Sequence, residues 1–306
     1  MTDTSGTLEI AVAATFAPVA TRCARSGPTL GVGQGEPVVT ADDLEHPFDQ
    51  AARARLTSIA GLAEVVARAG RLGHRLAGNR AAWQRVGPHR RPEVYRLLTP
   101  ICAMLGIDQP DLYLAPDGVG VGGFHHRRPS IVLGERLLAT LTPAECQAVL
   151  AHECGHLLLG HAELLTVARL LASAPVPSAE LSALLFSDDG APADASAAGA
   201  PSSLRAALVA WSHRCELSAD RVAALCLDGA DPMTRVMFRL AGSLTDPPWY
   251  AHHARDGADQ AMLAVRVREI EAWVATAGFA RLAERVSRSR HPRTSLHPPA
   301  ELASRL

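Results

Sequence analysis

Two histidines spaced one helical turn apart constrain this chain more than any other feature. They stand in the run His152-Glu153-Cys154-Gly155-His156. At about 100° per residue, His156 lies about 40° round from His152, with Glu153 about 60° beyond it on the same flank. Two neutral imidazoles so placed can share a tetrahedral Zn²⁺, setting the carboxylate beside a water on the metal. A Lewis acid, an acidified water and an adjacent general base are the parts of a zinc hydrolase. With 13 His in 306 residues, random order yields roughly 0.03 such patterns per chain. The competing reading is two core histidines spaced by accident, and the flanking sequence argues against it.

Thr142-Pro143-Ala144-Glu145 reads as a capping box with proline at the first helical position, so a helix is expected to begin there. It is predicted to run over about 143–172, with Gly155 and Gly160 costing propensity but permitting close packing away from the metal. On that continuous helix His161 falls about 180° from His152, which gives it a packing or capping role.

Two histidines do not close a zinc site. The best third ligand is Glu216, on a helix predicted over about 203–228 and stopped by Gly229. Asp220, four residues on and facing the same way, can hydrogen-bond a ligating imidazole from behind. Ala219 and Ala223 are small enough to let this helix approach the first. His213 shares the Glu216 face and reads as a partly exposed structural histidine rather than a fourth ligand.

With these residues in view, the chain resembles the gluzincin metallopeptidases of the HtpX heat-shock protease and CAAX prenyl protease type. Their pattern is His-Glu-x-x-His on one helix and Glu-x-x-x-Asp on a later one, matched here by His152 to His156 and by Glu216-Leu217-Ser218-Ala219-Asp220. Asp111-Leu112-Tyr113-Leu114 and Ile131-Val132-Leu133-Gly134-Glu135 resemble the strands that precede the family's zinc helix. The resemblance spans about residues 92–297. It implies one Zn²⁺ per chain on His152, His156 and Glu216, with Glu153 activating the water. It also implies a downstream His-Pro whose imidazole steadies the oxyanion. Both His291-Pro292 and His297-Pro298 fit, and His297 stands where the family has an arginine. The implied fold is α+β and mainly helical. A zinc helix packs on a second ligand helix, and a small β-sheet borders the cleft.

Composition bounds the remaining choices. Residues 1–40 read as a flexible N-terminal segment, and 41–306 as a metallopeptidase domain with N-terminal helices over 41–91 and a catalytic core over 92–297. Helices are expected over about 41–87, 92–105, 232–243 and 257–286, with strands near 111–115 and 130–134. The Ala-, Pro- and Ser-rich stretch 173–203, carrying a short helix near 179–186, is either a lid or an inert linker. Ile131-Val132-Leu133 is either an edge strand to which substrate adds or a buried central strand.

A net charge of −1 argues against a nucleic-acid partner. The charge is uneven, with an acidic first 50 residues and an Arg-rich 51–100 segment. That segment either makes peripheral membrane contact or forms a solvated helical face. No stretch approaches ~20 consecutive apolar residues, and no basic leader precedes Ile10 to Ala20, so neither a span nor a signal peptide is expected. The six cysteines show no metal or disulfide spacing and read as small hydrophobes in a reducing compartment. The expected location is the cytoplasm, alternatively the inner face of the membrane.

These features together describe a soluble zinc endopeptidase acting on peptide or protein substrates. The alternative is a catalytically silent zinc-binding scaffold or regulatory module. Glu153 argues against it, because structural zinc has no use for a free carboxylate beside an open position.

Overall fold

The computed structural model describes residues 38–59, 62, 65–66, 83–116, 122–125, 129–172, 199–242 and 258–290. Among these are ten helices and a four-stranded mixed sheet, an α+β and mainly helical fold. The helices are α1 (Ala41–Leu44), α2 (Pro47–Thr57), α3 (Pro92–Leu105), α4 (Glu135–Thr140), α5 (Pro143–Leu158), α6 (Ala162–Ala172), α7 (Gly199–Cys226), α8 (Asp231–Gly242), α9 (Ala258–Val274) and α10 (Ala277–Arg290). The strands are β1 (Gln84–Val86), β2 (Asp111–Ala115), β3 (Gly122–His125) and β4 (Pro129–Gly134). Their order across the sheet is β1-β2-β4-β3, with β2 and β4 parallel and the outer pairs antiparallel.

This order decides the status of Ile131-Val132-Leu133. β4 is hydrogen-bonded to a neighbour on each side, and all three residues are buried, so it is a central strand and not an edge. The unbroken apolar run reports burial on both faces. β3, drawn from the Gly-rich stretch, takes the edge position instead.

The start of α5 follows the sequence closely. Thr142 Oγ1 accepts from the Glu145 N–H at 3.3 Å, while the Glu145 carboxylate accepts from the Thr142 N–H at 2.7 Å, closing the capping box over Pro143. Its end does not. The helix stops at Leu158, because Gly160 takes a left-handed φ of +67°. His161 N–H then reaches back to His156 C=O at 2.9 Å, and Gly160 N–H to Leu157 C=O at 3.2 Å. This pair of reversed bonds is the Schellman termination that glycine favours. The predicted 143–172 helix is therefore two helices, α5 and α6.

Other departures have local causes. The predicted 41–87 helix breaks at Glu45-His46, where Pro47 can open a helix but cannot continue one. The same range holds β1, three residues with only Val86 buried, too short for an alternation to show. The predicted 257–286 helix divides at Thr276, whose Oγ1 accepts from Phe279 N–H at 3.2 Å and so caps α10. The proposed short helix near 179–186, most of the 1–40 and 173–203 segments, and much of 60–82 lie outside the described residues.

Two hydrophobic clusters form the interior. The larger joins the sheet, α3 and α5 to the C-terminal part of α7 and to α8, α9 and α10. The smaller joins α2 and α6 to the N-terminal part of α7, around Trp211. The segment Glu216 to Asp220 lies where α7 crosses from one cluster to the other. Along that crossing α5 packs closely on α7. A Cβ on Gly155 would stand only 2.9 Å from Val222 Cβ and 3.2 Å from Ala219 Cα. The glycine and the small Ala219 let two backbones approach that larger residues would hold apart.

Candidate metal centre

Helix α5 is buried on nearly every side from Glu145 to His156, so its histidines and Glu153 are presented inside the protein. His152 and His156 direct Nε2 at one another, 3.1 Å apart. The carboxylate of Glu216 on α7 closes the triangle, with Oε2 3.2 Å from His152 Nε2 and Oε1 3.4 Å from His156 Nε2. Residues separated by 60 or more positions thus meet at one point, as the two-part spacing anticipates. Glu153 is 3% exposed, and its Oε2 has no hydrogen-bond partner. A buried carboxylate oxygen without a donor is costly, and it persists where a further group completes the site.

Behind the triangle stands an ionic frame. Asp220, 1% exposed, places Oδ1 3.0 Å from His152 Nδ1, a bent contact. Arg266 on α9 grips Asp220 with two bonds of 2.8 and 2.7 Å, and its third nitrogen lies 3.2 Å from Glu216 Oε2. Burial opposes ionisation of both carboxylates, yet the Arg266 charge and the imidazoles hold Glu216 well below, and Asp220 below, the usual carboxylate range. Burial likewise opposes an imidazolium at His152. Its contacts with Asp220 and Glu216 outweigh that and lift it to about 9. The pocket therefore attracts positive charge. A metal that displaces its proton would leave the His152 imidazole, with Nδ1 on the Asp220 side, offering Nε2 as a lone pair beside a carboxylate. Two imidazoles and a carboxylate make a donor set suited to a borderline metal ion, and these residues fit one.

His161 lies elsewhere than a continuous helix would put it. The Schellman turn brings its Nδ1 2.9 Å from His156 Nδ1, against the rear of the imidazole. Burial and the nearby His156 depress it to about 4, against the pull of Asp49. Gly160, in its left-handed conformation just past α5, is the local signal for this turn. Arg266 and Asp49 carried no signal of this kind, since nothing in their own neighbourhoods marks them. Cys154 faces the larger core, and Cys102, Cys146, Cys154, Cys215 and Cys226 are buried thiols. His213 is half-buried on α7. His291 and His297 lie outside the described residues.

The profile of peptidase family M48 matches residues 120–299, more than half of the chain. The chain belongs to peptidase family M48. It is also similar to the plastoglobule-localized metallopeptidase 48, chloroplastic, of Arabidopsis thaliana. The two are 28% identical over 282 residues, covering 81% of this chain and 77% of that protein. No solved structure matches the chain. Membership makes the protein a metal-dependent protease, and it places the sequence resemblance at the level of family M48 as a whole. No helix among the described residues of this M48 chain is long and apolar enough to cross a membrane.

Proposed function

We propose that this M48 protein is a zinc-dependent endopeptidase in which His152, His156 and Glu216 hold one Zn²⁺ and Glu153 is the general base. One observation carries the reading: two imidazole nitrogens and a carboxylate converge within 3.4 Å beside a buried carboxylate oxygen that has no hydrogen-bond partner. When bound, zinc supplies Lewis-acid polarisation of the scissile carbonyl and makes water acidic enough to be deprotonated near neutral pH.

The chain's own residues do the rest. Glu153 Oε2, with no internal donor to satisfy it, takes the proton from the attacking water. The same carboxyl returns that proton to the amide nitrogen as the peptide bond breaks. Burial keeps bulk solvent from competing for it. Asp220 fixes the His152 ring so that Nε2 faces inward, and Arg266 steadies Asp220 and Glu216 together. A silent zinc scaffold would leave Glu153 as an unrewarded cost, which supports turnover over mere binding. The oxyanion partner is His291 or His297, and the substrate is a peptide or protein. The place of action is the cytoplasm or the inner face of a membrane, without spanning it.

Glu153→Gln tests the reading, because it keeps the side chain's size but cannot accept the proton. Purified variant should retain near-unit zinc by elemental analysis while cleavage of a peptide library falls by ~10² or more. Undiminished cleavage would remove Glu153 from its role. Full zinc content in His156→Ala would remove the ligand set.

A further inference from the structure

We propose that Asp49, in the N-terminal helix α2 and outside the 120–299 span of the family match, is a positioning residue of the metal centre that acts on His156 through His161. The proposal rests on the zinc-site reading above. Three buried groups stand in succession. His161 Nε2 is 3.1 Å from Asp49 Oδ2, a bent contact like that of His152 with Asp220, and His161 Nδ1 is 2.9 Å from His156 Nδ1. The far nitrogen of His156 is the one directed at His152 and Glu216. Asp49, His161 and His156 are each 0% exposed, so solvent does not compete along the line.

The order of protons follows from the carboxylate end. A carboxylate only accepts, so the His161 nitrogen facing Asp49 carries the hydrogen. Neutral His161 then accepts at Nδ1, and His156 must donate from the Nδ1 that faces it. That leaves His156 Nε2 as a bare lone pair, the form in which imidazole ligates a metal. Without Asp49, His161 is free to put its proton on Nδ1. Two N–H groups would then oppose one another at 2.9 Å, unless His156 moved its own proton to the ligating nitrogen. Asp49 therefore selects the tautomer that binds.

The placement of Asp49 is itself rigid. Its Oδ1 accepts from Trp211 Nε1–H at 2.9 Å and its Oδ2 from Ser218 Oγ–H at 2.6 Å. Ser218 Oγ in turn accepts from the His46 backbone N–H at 2.9 Å, tying the start of α2 to the ligand helix. Each ligating imidazole is thus backed by a carboxylate: His152 by Asp220 directly, and His156 by Asp49 through one intervening ring.

The test uses the full-length protein and zinc alone. Asp49→Asn removes the charge while keeping the shape. His161→Gln places an amide near the Nε2 position, able to serve Asp49, but withdraws the acceptor from His156 Nδ1. Each should weaken zinc binding, measured by chelator competition, by roughly 10–100-fold. The double variant should be no weaker than the worse single one, because both break the same line. In zinc-loaded protein with ¹⁵N-labelled imidazoles, the His156 ring shifts should move in both Asp49→Asn and His161→Gln. Wild-type zinc affinity and unchanged His156 shifts in His161→Gln would overturn the proposal while leaving the zinc site intact. Absence of zinc from the wild-type protein would overturn both.

Discussion

Replacing Gly155 by alanine sets two effects of opposite sign against each other. Within a helix, Gly→Ala is worth about 1 kcal/mol of stability through propensity. Here the added Cβ would lie 2.9 Å from Val222 Cβ, 3.0 Å from Val222 Cγ2 and 3.2 Å from Ala219 Cα. Carbon atoms rest about 3.5–4.0 Å apart. Helices α5 and α7 must therefore separate by about half an ångström or more. No side-chain rotation escapes this, because a Cβ and a Cα are fixed to the backbone. Overpacking of this kind costs about 1–3 kcal/mol. The net change in stability is thus between about zero and 2 kcal/mol unfavourable. The effect on the metal should be larger in proportion. His152 and His156 ride on α5 and Glu216 on α7, and a metal site tolerates only about 0.2 Å of drift in its ligand distances. Zinc affinity should fall by about tenfold or more, while the melting temperature of the metal-free protein moves by only a few degrees. Chelator competition and a thermal scan on the same preparations measure both. A Gly155→Ala protein more stable by the propensity gain, with unchanged zinc affinity, would refute the close-approach argument.

Val132→Pro should abolish zinc binding and activity together, because β4 is paired on both sides and proline removes a ladder bond from the centre of the sheet; selective loss of cleavage with zinc retained would contradict this. Arg266→Met should destabilise the metal-free protein by about 3–5 kcal/mol, since it strands Asp220 and Glu216 without their buried counter-charge. Zinc should restore part of that loss, and equal destabilisation with and without zinc would argue against Arg266 as the balancing charge. Despite burial, Arg239 and the Thr142 cap hold Glu145 down at about 2. Its charge therefore contributes stability in full above about pH 4.5 and loses it as pH falls towards 2. In urea unfolding, the advantage of wild type over Glu145→Gln should shrink across that window; a constant gap from pH 6 to 2.5 would dismiss the ion pair.

Much of the centre was legible because its two halves are local. A spacing of four residues fixes two side chains on one helical face wherever that helix lies, and this holds for His152 with His156 and for Glu216 with Asp220. Capping is equally local, so the start of α5 at Pro143 could be read from Thr142 and Glu145. The errors came where a short signal competes with a longer trend. Gly160 ends α5 within a run of leucines, Thr276 caps α10 within a helical stretch, and β1 is too short to alternate.

The sequence by itself determined which groups can ligate, which carboxylate stands beside them, and that each pair shares a face. Tertiary structure alone decided what surrounds them. Asp49 meets Ser218 across 169 residues, and Arg266 reaches Asp220 across 46, on helices whose own patterns carry no mark of the contact. Strand order made β4 central, and the approach of α5 to α7 through Gly155 set the distance over which a metal can be shared. The physical reason is that helix periodicity acts within a few residues. Buried charge is balanced by whichever element the packing brings alongside, and that choice belongs to the fold.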